Sequence, residues 1–408
     1  MWASKRKGRL FPGTARFRRR WLALGALAIL LAMVTPGCGG GGDDDGGGNG
    51  AAGPGESELR RRFIQTAGNG FILPTHRALV KEADTLIHSA SDFCTDRTAT
   101  NLTAAQEQWR VVTGLWMESE LVNVRFGPGY TLGEFVRVSW SRGEHADTAG
   151  IDARIADARP PAANERGLEG IEYLIFGHPD ASASVVLATF NGEMGDRRCD
   201  YLAMIVSNLR ADVKEILTGW ESDGGDYIGV WNSAGEAGNA TYRTLQSAID
   251  ALFSRVEFVI DNLVNRKLQP LNWKRSEPDF WRSGNSVASL QHNIVASEML
   301  YLGVNRGADT FGLENYMQQR GGSGQFGVDD YLRATGQSAL DAEIQAQFDV
   351  ALDALEAIPV SLRDAADSHT ALVNTAIAES RELLRLLKRE MAQDQLDVFF
   401  EFNSADGD

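Results

Sequence analysis

The sequence predicts an all-α protein built as two tandem antiparallel four-helix-type bundles related by internal duplication. Apolar residues recur at spacings of three and four in every long segment after Glu56, and no segment shows the two-residue period of a strand. A stretch rich in Gly, Asp, Ser and Asn, residues 222–239, separates these segments into two sets. The two sets share a short similar sequence, EYLIFG at 172–177 and EMLYLG at 298–303. In each, a Glu precedes a helix-ending Gly by five residues.

The helices are predicted from this periodicity alone. In the second of them, Trp109, Val112 and Trp116 fall on one stripe of the helical wheel. The first bundle is assigned to residues 58–222 and the second to residues 223–408. The predicted helical segments, in chain order, cover residues 60–89, 103–124, 166–176, 199–220, 241–264, 287–302, 338–357 and 361–395.

Residues 1–37 have the pattern of a bacterial export signal. A basic region precedes an apolar run at 21–34, which is shorter than the roughly 20 residues that span a bilayer. The run ends in TPGC, which resembles a lipobox and predicts a lipid on Cys38; cleavage without lipidation is the alternative. The sequence FRRRWL at 17–22 also fits a twin-arginine signal, so the export route stays open.

The composition from Cys38 onward favours an exported, membrane-tethered protein. Residues 38–57 are rich in Gly and Asp and predict a flexible tether between a lipid and a folded body. The formal net charge of the chain is −15, and eight of its 40 basic residues precede Cys38. Because phosphate binding needs a basic surface, nucleic acid is excluded as a partner. The expected partners are a lipid bilayer, through Cys38, and a metal ion or an envelope protein, and the expected location is the cell envelope, facing the periplasm or the cell exterior.

Two cysteines lie beyond the predicted signal and tether. The envelope is an oxidising compartment, so a disulfide between Cys94 and Cys199 is expected, with two free thiols as the alternative.

Four carboxylates fall on apolar helix faces. The helical wheel places Glu172 inside an apolar arc with Glu169 on the same side, and it directs Glu298 and Glu120 toward the core from two other helices. A buried carboxylate requires an ion pair, a hydrogen-bond network or a cation. A structural ion pair is one interpretation. The other is a carboxylate site for iron or another hard cation, because such ions prefer oxygen ligands.

Several segments together resemble one known family. They are ILPT at 72–75, Trp109 and Trp116 before RFGP at 125–128, GLEGIEYLIFG at 167–177, FWRSGNS at 280–286 and DGD at 406–408. In their order and spacing, they resemble the imelysin-like lipoproteins of the bacterial cell envelope. The resemblance covers nearly all of the chain after residue 60.

The resemblance implies two helical bundles, an envelope location and, in several branches of the family, a link to iron uptake. The family motif is GxHxxE. Gly167 and Glu172 match its ends, but Glu169 stands where the motif has His, and no other histidine is near in the sequence. The nitrogen ligand of a peptidase-type metal site is therefore absent from the motif, and no catalytic residue is assigned.

Three classes of function remain open at this point. The first is a lipid-anchored protein that binds metal or assists iron uptake through the carboxylates. The second is an imelysin-type metallopeptidase, and the third is a non-catalytic module that binds a peptide, a polysaccharide or a protein. Metal content with and without Glu172→Gln separates the first class from the third, and digestion of casein or insulin tests the second.

Overall fold

The prediction of an all-α protein is confirmed. The structure is a computed structural model, and it describes residues 55–130, 133, 136, 145–178, 181–269, 277–304 and 325–400, among which no β-strand occurs. The predicted signal, the tether up to residue 54, Cys38 and the DGD ending lie outside the described residues, whereas the last two residues of the predicted tether already belong to the first helix. Within the described part of the chain, no helix is long and apolar enough to cross a membrane.

The helices before residue 222 form the larger part of the predicted first bundle. α1 continues through a π-helical turn, Ala67–Ile72, into α2. A 3-10 turn, Glu120–Val122, follows α3 directly. The helices are α1 Glu56–Thr66, α2 Leu73–Thr95, α3 Ala99–Ser119, α4 Thr148–Asp157, α5 Gly167–Phe176, α6 Ala183–Asn191 and α7 Gly195–Trp220.

The helices after residue 222 make up the remainder. α9 and α14 each continue into a π-helical segment, Leu263–Lys267 and Leu386–Gln393. The predicted helix at 361–395 is broken at His369, where the chain leaves helical geometry between α13 and α14. The helices are α8 Tyr227–Asn232, α9 Leu245–Asn262, α10 Ser286–Tyr301, α11 Val328–Ala334, α12 Ser338–Glu356, α13 Leu362–Ser368, α14 Thr370–Arg385 and α15 Asp394–Leu396.

α3 is the central helix of the described structure. It packs against α2 and α5 from the first part of the chain and against α10 from the second part. α7 packs on α2 and α5, and α12 packs on α10 and α14. All of these helices contribute to a single hydrophobic core. The division into bundles at residue 222 and their origin by duplication remain predictions.

The Gly-rich stretch at 222–239 contains ordered structure. It forms the short helix α8, in which Trp231 is fully buried and donates a hydrogen bond from Nε1 to the Ile64 carbonyl oxygen at 2.8 Å. Gly68, in the π-helical turn, lies against this ring: a Cβ there would come within 2.6 Å of Trp231. The segment is thus fixed to the start of the fold by its one tryptophan.

A disulfide joins the end of α2 to the start of α7. Cys94 and Cys199 are bonded, with their Cα atoms 5.6 Å apart and a sequence separation of 105. The bond closes a loop that contains α3, α4, α5 and α6, and so it encloses the segment that carries Glu169 and Glu172.

We predict that this disulfide forms in the exported protein and stabilises it. Closing a loop of this length limits the unfolded chain, so Cys94→Ala/Cys199→Ala should lower the free energy of unfolding by about 2–5 kcal/mol. Urea denaturation with and without reductant measures this. The reduced wild type should have the same free energy of unfolding as the variant. If reductant does not change the stability of the wild type, or if the oxidised wild type has two reactive thiols, the disulfide is contradicted.

Candidate functional site

Glu169 and Glu172 lie on α5, a fully buried helix. All ten of its residues are buried. Gly167, the first of them, has φ +77°, a left-handed conformation that favours glycine. Gly170 lies against the preceding turn, since a Cβ there would be 2.7 Å from the Glu165 carbonyl oxygen. Trp109 of α3 also holds α5 in place, because its Nε1 donates a hydrogen bond to the Leu168 carbonyl oxygen at 2.9 Å.

Glu172 is buried with only one of its oxygens hydrogen-bonded. Its side chain is 0% exposed. Oε1 accepts from the backbone N–H of Ser283 at 2.9 Å and from the Ser283 hydroxyl at 2.7 Å. Oε2 is buried and has no hydrogen-bond partner among the described residues. Burial raises the pKa of Glu172 to about 7, with a further contribution from the Glu169 charge, although the Ser283 hydrogen bonds and Arg282 oppose the shift.

The turn that carries Ser283 is strained. Phe280 is fully buried and has φ +54°, a left-handed conformation that is unusual for a bulky residue. Such a conformation costs on the order of 1–3 kcal/mol and persists only where surrounding contacts hold it. Here the Phe280 ring packs edge-on against Trp109 at 5.6 Å, and its carbonyl oxygen accepts from the Asn285 N–H at 3.1 Å. These contacts hold the backbone N–H of Ser283 toward Glu172.

Glu169 is paired with a histidine from outside its helix. Its Oε2 lies 2.9 Å from Nδ1 of His145 and accepts from the Ala146 N–H at 3.2 Å. Nε2 of His145 lies 2.7 Å from the Glu277 carbonyl oxygen, so this nitrogen must carry a proton and donate it. Although burial lowers the pKa of His145, the hydrogen bond and charge of Glu169, the backbone carbonyl of Glu277 and the charge of Asp279 outweigh it and raise the pKa.

Two arginines flank Glu172 without hydrogen-bonding to it. The Arg282 guanidinium lies over the Trp281 ring at 4.4 Å and near the Tyr173 ring at 5.7 Å. Its Nε and Nη1 are buried and have no hydrogen-bond partner. Arg110 of α3 lies over the Phe176 ring at 4.9 Å and interacts electrostatically with Glu172. The carboxylate is thus near two guanidinium groups, each of which rests on an aromatic ring.

Glu120 has other partners. Its Oε2 lies 3.3 Å from Nζ of Lys267 and 3.4 Å from Nδ2 of Asn293, which makes it part of an ion-paired network. The residue of α3 that points into the core is instead Glu118, whose Oε1 lies 2.8 Å from Nδ1 of His292. Glu298 is buried on α10, as the helical wheel predicts.

The structure brings Glu169 and Glu172 together but does not gather all four predicted carboxylates around one ion. Within the described ranges, no three His, Cys, Asp or Glu side chains are arranged to hold a metal. The pair on α5 can supply oxygen ligands to a hard cation, whereas Glu120 is already neutralised by Lys267.

Sequence reasoning missed two partners of this site. A histidine does lie beside the motif in space, because His145, 24 residues earlier in the sequence, hydrogen-bonds to Glu169. Ser283 belongs to the FWRSGNS segment, which carried the family resemblance but received no role. The one available signal was the concentration of polar residues in that segment next to large aromatic ones.

The family resemblance is confirmed, and the chain belongs to the imelysin family, whose model matches residues 72–387. Iron-regulated protein A of Synechococcus elongatus is 25% identical over 281 residues, which cover 66% of this chain and 72% of that protein.

Two solved structures share the fold. The crystal structure of a candidate iron-regulated protein A precursor from Parabacteroides distasonis superimposes with a TM-score of 0.65 at 18% identity, covering 84% of this chain and 97% of that one. An imelysin-like protein from Psychrobacter arcticum gives a TM-score of 0.60 at 16% identity, covering 85% and 98%. At these identities the likeness concerns the fold alone.

The raised pKa of Glu172 predicts a specific pH dependence of stability. Between its ordinary value of 4.5 and about 7, the folded protein retains a proton that the unfolded chain releases, so stability falls as pH rises through this window. Glu172→Gln removes the effect. In the presence of a chelator, it should match the wild type near about pH 5 and exceed it by up to roughly 3 kcal/mol near about pH 8.

Glu165→Gln is the matched control for this experiment. Glu165 is also buried, but it pairs with Arg154 and accepts from the Ala162 N–H at 2.8 Å. Its amide variant should therefore be less stable than the wild type at both pH values. If Glu172→Gln and Glu165→Gln lose the same amount of stability at high pH, Glu172 is an ordinary member of a structural ion pair.

Proposed function

We propose that this imelysin-family protein is a lipid-anchored accessory of iron acquisition in the cell envelope, and that it binds a hard cation through Glu172 and Glu169. The observation that carries the proposal is the buried Oε2 of Glu172, which has no hydrogen-bond partner within the part of the chain that the structure describes. A buried carboxylate oxygen without a donor is unfavourable unless it is protonated or meets a cation. The iron-regulated relative and the predicted export signal support the cellular setting.

The donor chemistry supports a hard cation over zinc. Glu169 and Glu172 offer carboxylate oxygens, which Fe(III) and similar ions prefer. The one histidine at the site, His145, has Nε2 directed to the Glu277 carbonyl and Nδ1 directed to Glu169. A peptidase reaction needs a metal-activated water held by several protein ligands. The described residues offer no three-residue ligand group, so no catalytic step is derived.

Cation binding should depend on Glu172 and not on Glu120. Terbium(III) is a suitable hard-cation probe, because tryptophan sensitises its luminescence and Trp109 contacts α5 directly. Glu172→Gln should weaken terbium binding by about tenfold or more, as expected for the loss of a charged ligand. Anaerobic titration with Fe(II) should rank the variants in the same order.

Glu120→Gln is the control for this titration. It removes a carboxylate that the sequence also nominated but that Lys267 already neutralises, so terbium affinity should stay at the wild-type value. Equal affinities for the wild type, Glu172→Gln and Glu120→Gln would contradict the proposed site. Digestion of casein or insulin that is lost in Glu172→Gln would instead favour a peptidase.

The membrane anchor is a separate part of the proposal. Cys38→Ala should shift the protein from the membrane fraction to the soluble fraction and abolish metabolic labelling with palmitate, because the lipid supplies the membrane affinity. Cys94→Ala/Cys199→Ala is the matched control and should remain in the membrane fraction. Retention of label in Cys38→Ala would contradict lipidation at this cysteine.

A further inference from the structure

We infer that the cation binds together with an anionic polycarboxylate, which Arg282 and Arg110 hold beside Glu172. This inference rests on the proposed function and specifies the form in which the cation is recognised. It is carried by two guanidinium groups that lie against aromatic residues of the helix that bears Glu172, Arg282 near Tyr173 and Arg110 over Phe176. Nε and Nη1 of Arg282 are also buried without a hydrogen-bond partner among the described residues.

Aromatic rings hold the Arg282 guanidinium in place, although no described carboxylate forms a hydrogen bond with it. The guanidinium is held near the rings of Trp281 and Tyr173, and Nε and Nη1 are buried without a hydrogen-bond acceptor among the described residues. Burying unpaired N–H groups of a charged side chain is costly. Aromatic faces compensate only part of this cost, because cation–π attraction does not supply acceptors for in-plane N–H groups. The residue as a whole is partly exposed, although Nε and Nη1 are not, so a ligand from solvent must displace the groups that cover these two nitrogens.

Arg110 approaches the same carboxylate from α3. It rests on Phe176, one helical turn beyond Glu172 on α5, and it interacts electrostatically with Glu107 and Glu172. Arg110 is partly exposed. With Arg282 near Tyr173 and Arg110 over Phe176, two positive charges flank Glu172 at separate points on the aromatic surface of α5.

The contrast with a neighbouring arginine supports a ligand-binding role. Arg363 also stacks on Trp281, at 5.2 Å, but its Nε is paired with the Glu277 carboxylate at 3.3 Å. Glu277 therefore neutralises Arg363, whereas no described carboxylate forms a hydrogen bond with Nε or Nη1 of Arg282. A hydrogen-bonding anion from solution would complete the pairing.

The chemical class of the anion follows from the two charges and from the incomplete ligand set. Guanidinium groups bind carboxylates through two parallel hydrogen bonds, and two separated arginines match a ligand with more than one carboxylate. No three described side chains are arranged to hold a metal. A polycarboxylate that chelates the cation would supply the remaining oxygen ligands while its outer carboxylates pair with Arg282 and Arg110.

Calorimetric and luminescence titrations of the full-length protein test this inference. The probes are terbium(III), citrate, a preformed terbium–citrate complex, tricarballylate and inorganic phosphate. Tricarballylate has the three carboxylates of citrate but lacks the chelating hydroxyl. We expect citrate and tricarballylate to bind the metal-free protein, phosphate to bind more weakly, and terbium–citrate to bind about tenfold or more tightly than terbium alone.

Arg282→Gln should remove the gain that citrate gives without weakening the binding of terbium alone, because the side chain that is lost carries a positive charge that repels the cation. Arg282→Lys keeps the charge without the bidentate geometry and should restore only part of the gain. Arg363→Gln is the matched control and should behave as the wild type. Glu172→Gln should lose terbium affinity but keep affinity for tricarballylate.

The outcomes separate the two proposals. If terbium binds through Glu172 but citrate adds nothing, or if Arg282→Gln and Arg363→Gln behave alike, the polycarboxylate inference is overturned and the cation site stands. If phosphate binds more tightly than tricarballylate, the assigned anion class is wrong. If tricarballylate binds through Arg282 but no cation binds in any form, the proposed function fails and only anion binding remains.

Discussion

The free energy of burying one carboxylate governs the organisation of this site. Glu172 is enclosed on a helix whose ten residues are all buried, and Ser283 alone among the described residues hydrogen-bonds to it. Removing a charge from water costs several kcal/mol, and the two Ser283 hydrogen bonds offset only part of that cost. The result is a carboxyl group with a pKa of about 7, which changes its charge near neutral pH.

The surroundings of Glu172 follow from this constraint. Phe280 adopts a left-handed backbone conformation in the turn that presents the Ser283 N–H, and this strain is tolerated because Trp109 and Asn285 hold the turn. Glu169, one helical turn earlier, is instead hydrogen-bonded to His145. The site thus contains one carboxylate that hydrogen-bonds to a histidine and one that has a buried oxygen without a hydrogen-bond partner among the described residues. A cation that needs oxygen ligands would be expected at the second, which is the physical basis of the proposed function.

Helical periodicity predicted the fold and the burial of Glu169, Glu172 and Glu298, because these residues lie in regular helices. It misassigned Glu120 because α3 ends at Ser119 and the next residues form a tighter 3-10 turn, so the wheel no longer applies. α3 is also buried on more than one face. A helical wheel that assumes one buried face therefore did not predict that Glu118 is buried. His145 and Ser283 were beyond prediction, since both lie outside helices and reach α5 through long-range packing that has no period in the sequence.

Infrared difference spectroscopy measures the protonation of Glu172 most directly. A protonated carboxyl group absorbs at a C=O stretching frequency distinct from that of a carboxylate, and subtracting the Glu172→Gln spectrum from that of the metal-free wild type isolates this group. The account predicts a protonated-carboxyl band that is lost with a midpoint near the pKa of about 7, and that is lost at lower pH when a hard cation is present. A carboxylate already ionised below about pH 5, with no change on adding the cation, would contradict it.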